Sequence, residues 1–193
     1  MAGVIDTSEF RKGMKIEIDG EPFEIIDFQH VKPGKGSAFV RTSIKSLISG
    51  RLLQPTLKSG EKVGRPDIEE KEMQFLYVQG DEFYFMDLKN FEQTFVGEKT
   101  LGEAKNYLKE GINASILFYN GKALGVSLAN SVDLKVTTCD PGVRGDTVSG
   151  ALKPAVLESG YQVMVPLFIN EGDVLKIDTR DGKYLTRVAS VAS

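Results

Sequence analysis

Residues 14–47 read MKIEIDGEPFEIIDFQHVKPGKGSAFVRTSIKSL, and their alternation decides the fold. Met14, Ile16 and Ile18 alternate with Lys15, Glu17 and Asp19, the period-2 signature of a strand with one buried face. Asp19-Gly20 follows as a tight-turn dipeptide. Residues 23–28 continue as a second strand whose apolar phase slips at Ile25-Ile26, which predicts a β-bulge. Beyond residues 31–36, VKPGKG, the alternation resumes with Ala38, Val40, Thr42 and Ile44 against Phe39, Arg41, Ser43 and Lys45. VKPGKG is therefore the loop at the tip of a hairpin.

The same pattern recurs outward along the chain. MQFLYV (73–78), a Gln79-Gly80-Asp81 turn and EFYFMD (82–87) predict a second hairpin rich in aromatic and β-branched residues. Residues 115–119, SILFY, lead through Asn120-Gly121 to ALGVSL, and Asn-Gly accepts the positive φ angles of a type I′ turn. Between these hairpins the period turns helical: Leu101, Ala104, Tyr107 and Leu108 form one stripe, Thr100 and Glu103 a capping box, and Gly111 the stop. A last group of strands opens with Val132, Leu134 and Val136 and breaks at Asp140-Pro141-Gly142. It resumes with VMVPLFI (163–169) and VLKIDT (174–179), then closes through Asp181-Gly182 with KYLTRV (183–188). The expected fold is all-β: three small barrels in series over residues 1–65, 66–129 and 130–193, the middle one OB-like because strands surround one short helix.

Composition bounds the function. The chain has 41% hydrophobic and 26% charged residues, the balance of a folded globular protein rather than a disordered one. One cysteine, Cys139, excludes an intrachain disulfide, and one histidine, His30, leaves no Cys/His set for a structural zinc site. The densest apolar run, residues 163–169, contains Pro166 and falls far short of the ~20 residues that span a bilayer. The expectation is a cytoplasmic protein with no membrane partner. The net charge of −3 hides an asymmetry. Residues 1–65 hold 11 Lys and Arg against 8 Asp and Glu, whereas residues 66–129 hold 6 against 11. Residues 28–60 contain Lys32, Lys35, Arg41, Lys45, Arg51 and Lys58 and no acidic residue, a stretch that attracts phosphates.

Lys35, between two glycines and just after Pro33, invites four readings: phosphate ligand, catalytic amine, anchor for a modification, or solvated turn residue. A Walker-type cradle needs GxxxxGK[ST] between a strand and a helix, and Gly34-Lys35-Gly36 has neither that spacing nor that context. A catalytic lysine needs desolvation or cationic neighbours. The flanking glycines build no wall against water, and no catalytic set accompanies the loop. His30 reads as a strand-end residue and Cys139 as a small buried side chain. Pro33 fixes its own φ and restricts Lys32, and Gly34 and Gly36 permit angles that a Cβ forbids. The residues alone leave a projecting tip suited to a narrow phosphate-lined crevice beside a glycine-rich turn with a solvated lysine. For function they leave an RNA-directed factor, a general RNA-binding or RNA-chaperone protein of SH3-like and OB domains, and a Schiff-base enzyme acting through Lys35.

Three blocks carry a resemblance: DFQHVKPGKGSAFVRTSIKSL (27–47), FMD (85–87) with FEQ (91–93), and residues 140–187 from DPGVRGDTVSG to GKYLTR. In order and spacing they resemble bacterial translation elongation factor P over essentially the whole chain. The resemblance implies an N-terminal SH3-like, KOW-type barrel, two OB-fold barrels and a tRNA-like L shape. It implies a monomeric, non-enzymatic factor without cofactor or metal. Such a factor binds the ribosome between the peptidyl-tRNA and exit sites and relieves stalling at consecutive prolines. Lys35 then matches the tip residue that a lysine-modifying enzyme extends in many members, and Lys32, Pro33, Gly34 and Gly36 the loop that presents it to the tRNA acceptor end. Gly145, Asp146 and Thr147 match an element near the messenger RNA codon in the exit site. Tyr184 and Arg187 match residues near the tRNA anticodon arm. A lysine tip argues against the arginine-tipped, sugar-modified branch and leaves β-lysylation, an aminopentanol-type adduct and a bare amine.

Overall fold

The structure is a computed structural model and describes residues 3–141 and 150–190. The alternation in residues 14–47 organises its first sheet. Strands β1 (Val4–Asp6), β2 (Lys15–Ile18), β3 (Glu21–Val31), β4 (Phe39–Ser46), β5 (Leu52–Leu53), β6 (Thr56–Lys58) and β7 (Lys62–Gly64) pair antiparallel in the order β1-β7-β2-β3-β4-β5, with β6 also on β4. Ile16, Ile25, Val40 and Ile44 are fully buried in its core, each worth about 1.5–3 kcal/mol by burial. The predicted bulge is present: Ile25 pairs with Ile44 but Asp27 with Ser43, so one extra residue on β3 turns Ile26 to solvent.

Five strands make the second sheet: β8 (Ile68–Gln79), β9 (Glu82–Asp87), β10 (Gln93–Gly97), β11 (Asn113–Tyr119) and β12 (Lys122–Leu128), in the order β10-β9-β8-β11-β12. Asn120 at φ 48° and Gly121 at φ 76° give the Asn-Gly turn both positive angles it requires. The expected helix over residues 100–111 is not formed as read. The chain enters α1 (Glu98–Leu101) directly from β10, with Gly97 as N-cap and the Glu98 N–H donating to the Asp81 carbonyl at 3.1 Å. Thr100 thus lies inside the turn and cannot cap it. Gly102, at φ 54° and ψ −131°, breaks the helix, and a 3₁₀ turn over Gly102–Tyr107 ends well before Gly111. Leu101, Tyr107 and Leu108 are nonetheless buried as the stripe predicts.

The third sheet contains β13 (Ser131–Cys139), β14 (Leu152–Leu157), β15 (Gln162–Pro166), β16 (Val174–Asp178) and β17 (Tyr184–Ala189), in the order β15-β14-β13-β16-β17. Leu134, Val136, Leu157, Val165, Leu175 and Ile177 form its core, which Tyr107 joins. The chain packs as two compact units. One runs to Glu69 and adds Phe118–Leu124; the other takes Glu70–Leu117 and the residues from Gly125 onward. Among the described residues no helix is long and apolar enough to cross a membrane.

Candidate functional site

The core follows the β3–β4 hairpin as far as Val40, one residue from its last pair, and only the loop extends beyond it. Val31 and Phe39 are its last paired residues, and residues 32–38 close the tip. Lys32, Gly34, Lys35 and Gly36 are exposed and Pro33 is half-buried. Gly36 sits at φ 112°, a conformation that a side chain disfavours. Gly34 does not have a left-handed φ and has open space where a Cβ would stand. Both glycines permit angles that a Cβ forbids, and only Gly36 uses one. Among the described residues Lys35 has no hydrogen-bond or ion-pair partner.

The electrostatics of this region follow from how its acids and bases are partnered. All six cations of residues 28–60 are exposed, and none makes an ion pair among the described residues. The acids at either border are occupied. Asp27 pairs with Lys12 at 2.9 Å, and that hydrogen-bonded ammonium holds its carboxyl below the usual range. The Glu61 carboxylate accepts the Lys58 N–H at 2.7 Å. Arg41 lies with its guanidinium carbon 5.6 Å from the Phe39 ring centroid, within cation–π range. An open cleft of about 440 Å³ at the base of the tip is lined by Ser8, His30, Lys32, Ala38, Phe39 and Ser59. The whole arrangement offers uncompensated positive charge on a narrow projection, which suits phosphate-bearing partners.

The remaining candidate residues are scattered. His30 packs edge-on against Phe28, 5.6 Å between centroids. Cys139 is half-buried rather than buried, with Sγ 3.7 Å from the Ile169 carbonyl oxygen. Among the described residues no group of three or more His, Cys, Asp and Glu is arranged to hold a metal. Tyr184 is half-buried against the third core. Arg187 donates to the buried Asp173 carboxylate at 3.3 Å and lies 5.2 Å over the Phe168 ring. That partnership lay beyond sequence reading, because β17 alone does not reveal which acid 14 residues upstream it meets. Gly145, Asp146 and Thr147 lie outside the described residues.

Three family models match the chain in sequence. Residues 6–63 match the elongation factor P KOW-like domain, residues 68–126 the elongation factor P OB domain, and residues 132–187 the elongation factor P C-terminal domain. Elongation factor P of Maridesulfovibrio salexigens is 53% identical over 95% of this chain and 99% of its own length. That of Moorella thermoacetica is 50% identical over 95% of this chain and all of its own. In structure, translation initiation factor 5A from Methanococcus jannaschii aligns with a TM-score of 0.56 at 24% identity, covering 66% of this chain and 93% of that one, a likeness of fold. With models of this family matching all three sheets in succession, and with half-identical relatives along nearly its full length, the chain belongs to the elongation factor P family of translation factors.

Proposed function

We propose that this protein binds the ribosome between the peptidyl-tRNA and exit sites and promotes peptide-bond formation at consecutive prolines, its Lys35 loop positioning the peptidyl-tRNA. The observation that carries this reading is Lys35 itself, exposed and unpartnered among the described residues at the apex of a hairpin, in a member of this family. Chemistry at the peptidyl-transferase centre belongs to the ribosome. The factor contributes orientation: holding the acceptor end in a productive pose removes part of the entropic barrier, and each ~1.4 kcal/mol so removed is tenfold in rate. Pro33 and Gly36 shape the tip, and Lys32 adds charge beside it. The same reading assigns three modules over residues 1–65, 66–129 and 130–193. It sets Gly145, Asp146 and Thr147 near the messenger RNA codon and Tyr184 and Arg187 near the anticodon arm. The protein acts as a cytoplasmic monomer, with Lys35 as the residue that a modifying enzyme extends.

A reconstituted translation system with a proline-run reporter tests this reading. The parent protein restores synthesis and Lys35→Ala does not; equal restoration by Lys35→Ala refutes the role of the tip. A peptide mass covering Lys35, on protein from its native host, reads the added group, and a mass shift on another residue overturns the modification site. The six exposed cations of residues 28–60, none in an ion pair among the described residues, also favour a second reading, a general RNA-binding protein. Equal affinity for free single-stranded RNA and for ribosomes selects that alternative.

A further inference from the structure

The outer face of the second sheet carries an aromatic row that the Lys35 reading does not use. Met73 and Phe75 are buried, and strict alternation from them turns Tyr77 inward as well. Leu76, however, is the extra residue of a bulge: Phe75 pairs with Phe85, but Tyr77 pairs with Tyr84. Parity inverts there, and Tyr77 joins Tyr84 on the outer face. Tyr84 in turn faces Phe95 across β9 and β10. Tyr77 and Tyr84 stack with centroids 4.8 Å apart and planes at 16°, and Tyr84 meets Phe95 at 6.1 Å. Tyr77 is 47% and Phe95 54% exposed and Tyr84 between them is half-buried, so the two end rings leave about half of their surface to solvent. Contiguous exposed aromatic surface of this kind marks a contact site.

Its neighbours indicate what the row contacts. In register, Gln74, Met86 and Gln93 border it on one side, and Gln79, Glu82 and Gly97 on the other. These six include a carboxylate and no cation. The Tyr84 hydroxyl donates to that carboxylate at 2.7 Å, a bond that pushes the phenol's pKa up. Residues 66–129 carry 11 acidic against 6 basic side chains, so a phosphate is repelled where a cation is drawn in. A guanidinium gains both from a ring face and from a carboxylate, and its planar fork serves both better than an ammonium does. We propose that the Tyr77–Tyr84–Phe95 row is a second docking surface, separate from the Lys35 tip, which takes an arginine-bearing segment of a protein partner through ring stacking and pairing with Glu82.

The test titrates the full chain with a fluorescent Arg-Gly repeat peptide, a Lys-Gly repeat of equal length, and an oligouridylate of equal length. The arginine peptide binds more tightly than the other two. Tyr77→Ser combined with Phe95→Ser weakens it about tenfold, and Glu82→Gln weakens it several-fold. Ile48→Ser, an exposed apolar change on the first unit, leaves binding intact. Amide spectra of the parent chain, which need no variant to fold, show peptide-induced shifts concentrated between residues 74 and 97. Equal binding of the lysine peptide with no loss in the double variant reduces the effect to bulk charge and overturns the proposal. So do shifts elsewhere on the chain, or tighter binding of oligouridylate at the row, which makes the face a nucleic-acid platform.

Discussion

Replacing Gly182 with alanine places a methyl group in a crowded glycine site of the second unit. Gly182 is buried at φ 71°. A Cβ there collides with the Tyr161 hydroxyl oxygen, with Tyr107 Oη 2.9 Å and Tyr161 Cζ 3.0 Å away. Those two rings meet edge to face, 5.3 Å between centroids, and join the 3₁₀ turn after β10 to the β14–β15 connection. Two costs add. A left-handed φ on a residue with a Cβ costs about 1 kcal/mol. Forcing Tyr161 aside costs a further ~1–3 kcal/mol, including the edge-to-face contact. The expected total is about 2–4 kcal/mol. Gly121 supplies the control: it has φ 76° but nothing within 4 Å of its would-be Cβ, so Gly121→Ala carries only the backbone cost. Urea unfolding read by tyrosine fluorescence measures both, since the chain has no tryptophan. Tyr161→Phe in the Gly182→Ala background restores part of the loss by removing the oxygen. If the two alanine variants differ by less than about 0.5 kcal/mol, the close approach at Gly182 carries no energy and the reasoning fails.

At the tip, Gly34→Ala leaves both stability and reporter rescue near the parent's, whereas Gly36→Ala distorts the loop and lowers rescue; the reverse order contradicts the assigned loop geometry. Arg187→Ala removes a partner of the buried Asp173 and lowers stability by about 1–3 kcal/mol, discounted from a fully buried pair because Arg187 is partly exposed. Arg187→Lys recovers part of that loss, and urea midpoints report both. The Arg180 guanidinium, hydrogen-bonded to Asp178 through Nε at 2.9 Å, pulls the Asp178 carboxyl pKa down to about 2, with the Arg180 backbone N–H adding to the effect. A depressed carboxyl pKa stabilises the fold fully above the unfolded value and ceases to do so as pH falls to the folded one. Stability therefore drops between about pH 4 and about pH 2, more steeply in the parent than in Arg180→Ala. Carbon NMR titration of Asp178 checks the cause, because its pKa rises toward the ordinary range in that variant.

Much of the architecture was legible because period-2 alternation is a local property. The slip at Ile25-Ile26 announced its bulge, and Asn120-Gly121 its turn, from neighbouring residues alone. The helix was misread because Leu101, Tyr107 and Leu108 have a spacing that a short α turn followed by a 3₁₀ turn buries equally well, and Gly102 divides the two. At the candidate site, the charge and exposure of Lys35 followed from composition and from Pro33 and the glycines around it. The conformational difference between Gly34 and Gly36 depends on the path of the whole loop. The aromatic row was hidden because Leu76 gives no phase slip of its own: MQFLYV is apolar on both parities around the bulge. Arg187 and Asp173 meet only through tertiary packing, which no window of sequence contains.

The six cations of residues 28–60 make no ion pair among the described residues, and this separates folding from binding in their response to ionic strength. Added salt has no ion pair of these six cations to screen, so through them it takes no stability from the first sheet; its exposed pairs, Lys12–Asp27 and Lys15–Glu24, lie outside this group. A single-stranded RNA partner that engages all six releases counterions in proportion, and its affinity falls with a log–log slope of roughly −4. On the proposed reading, salt acts on these six residues as a release signal and not as a denaturant.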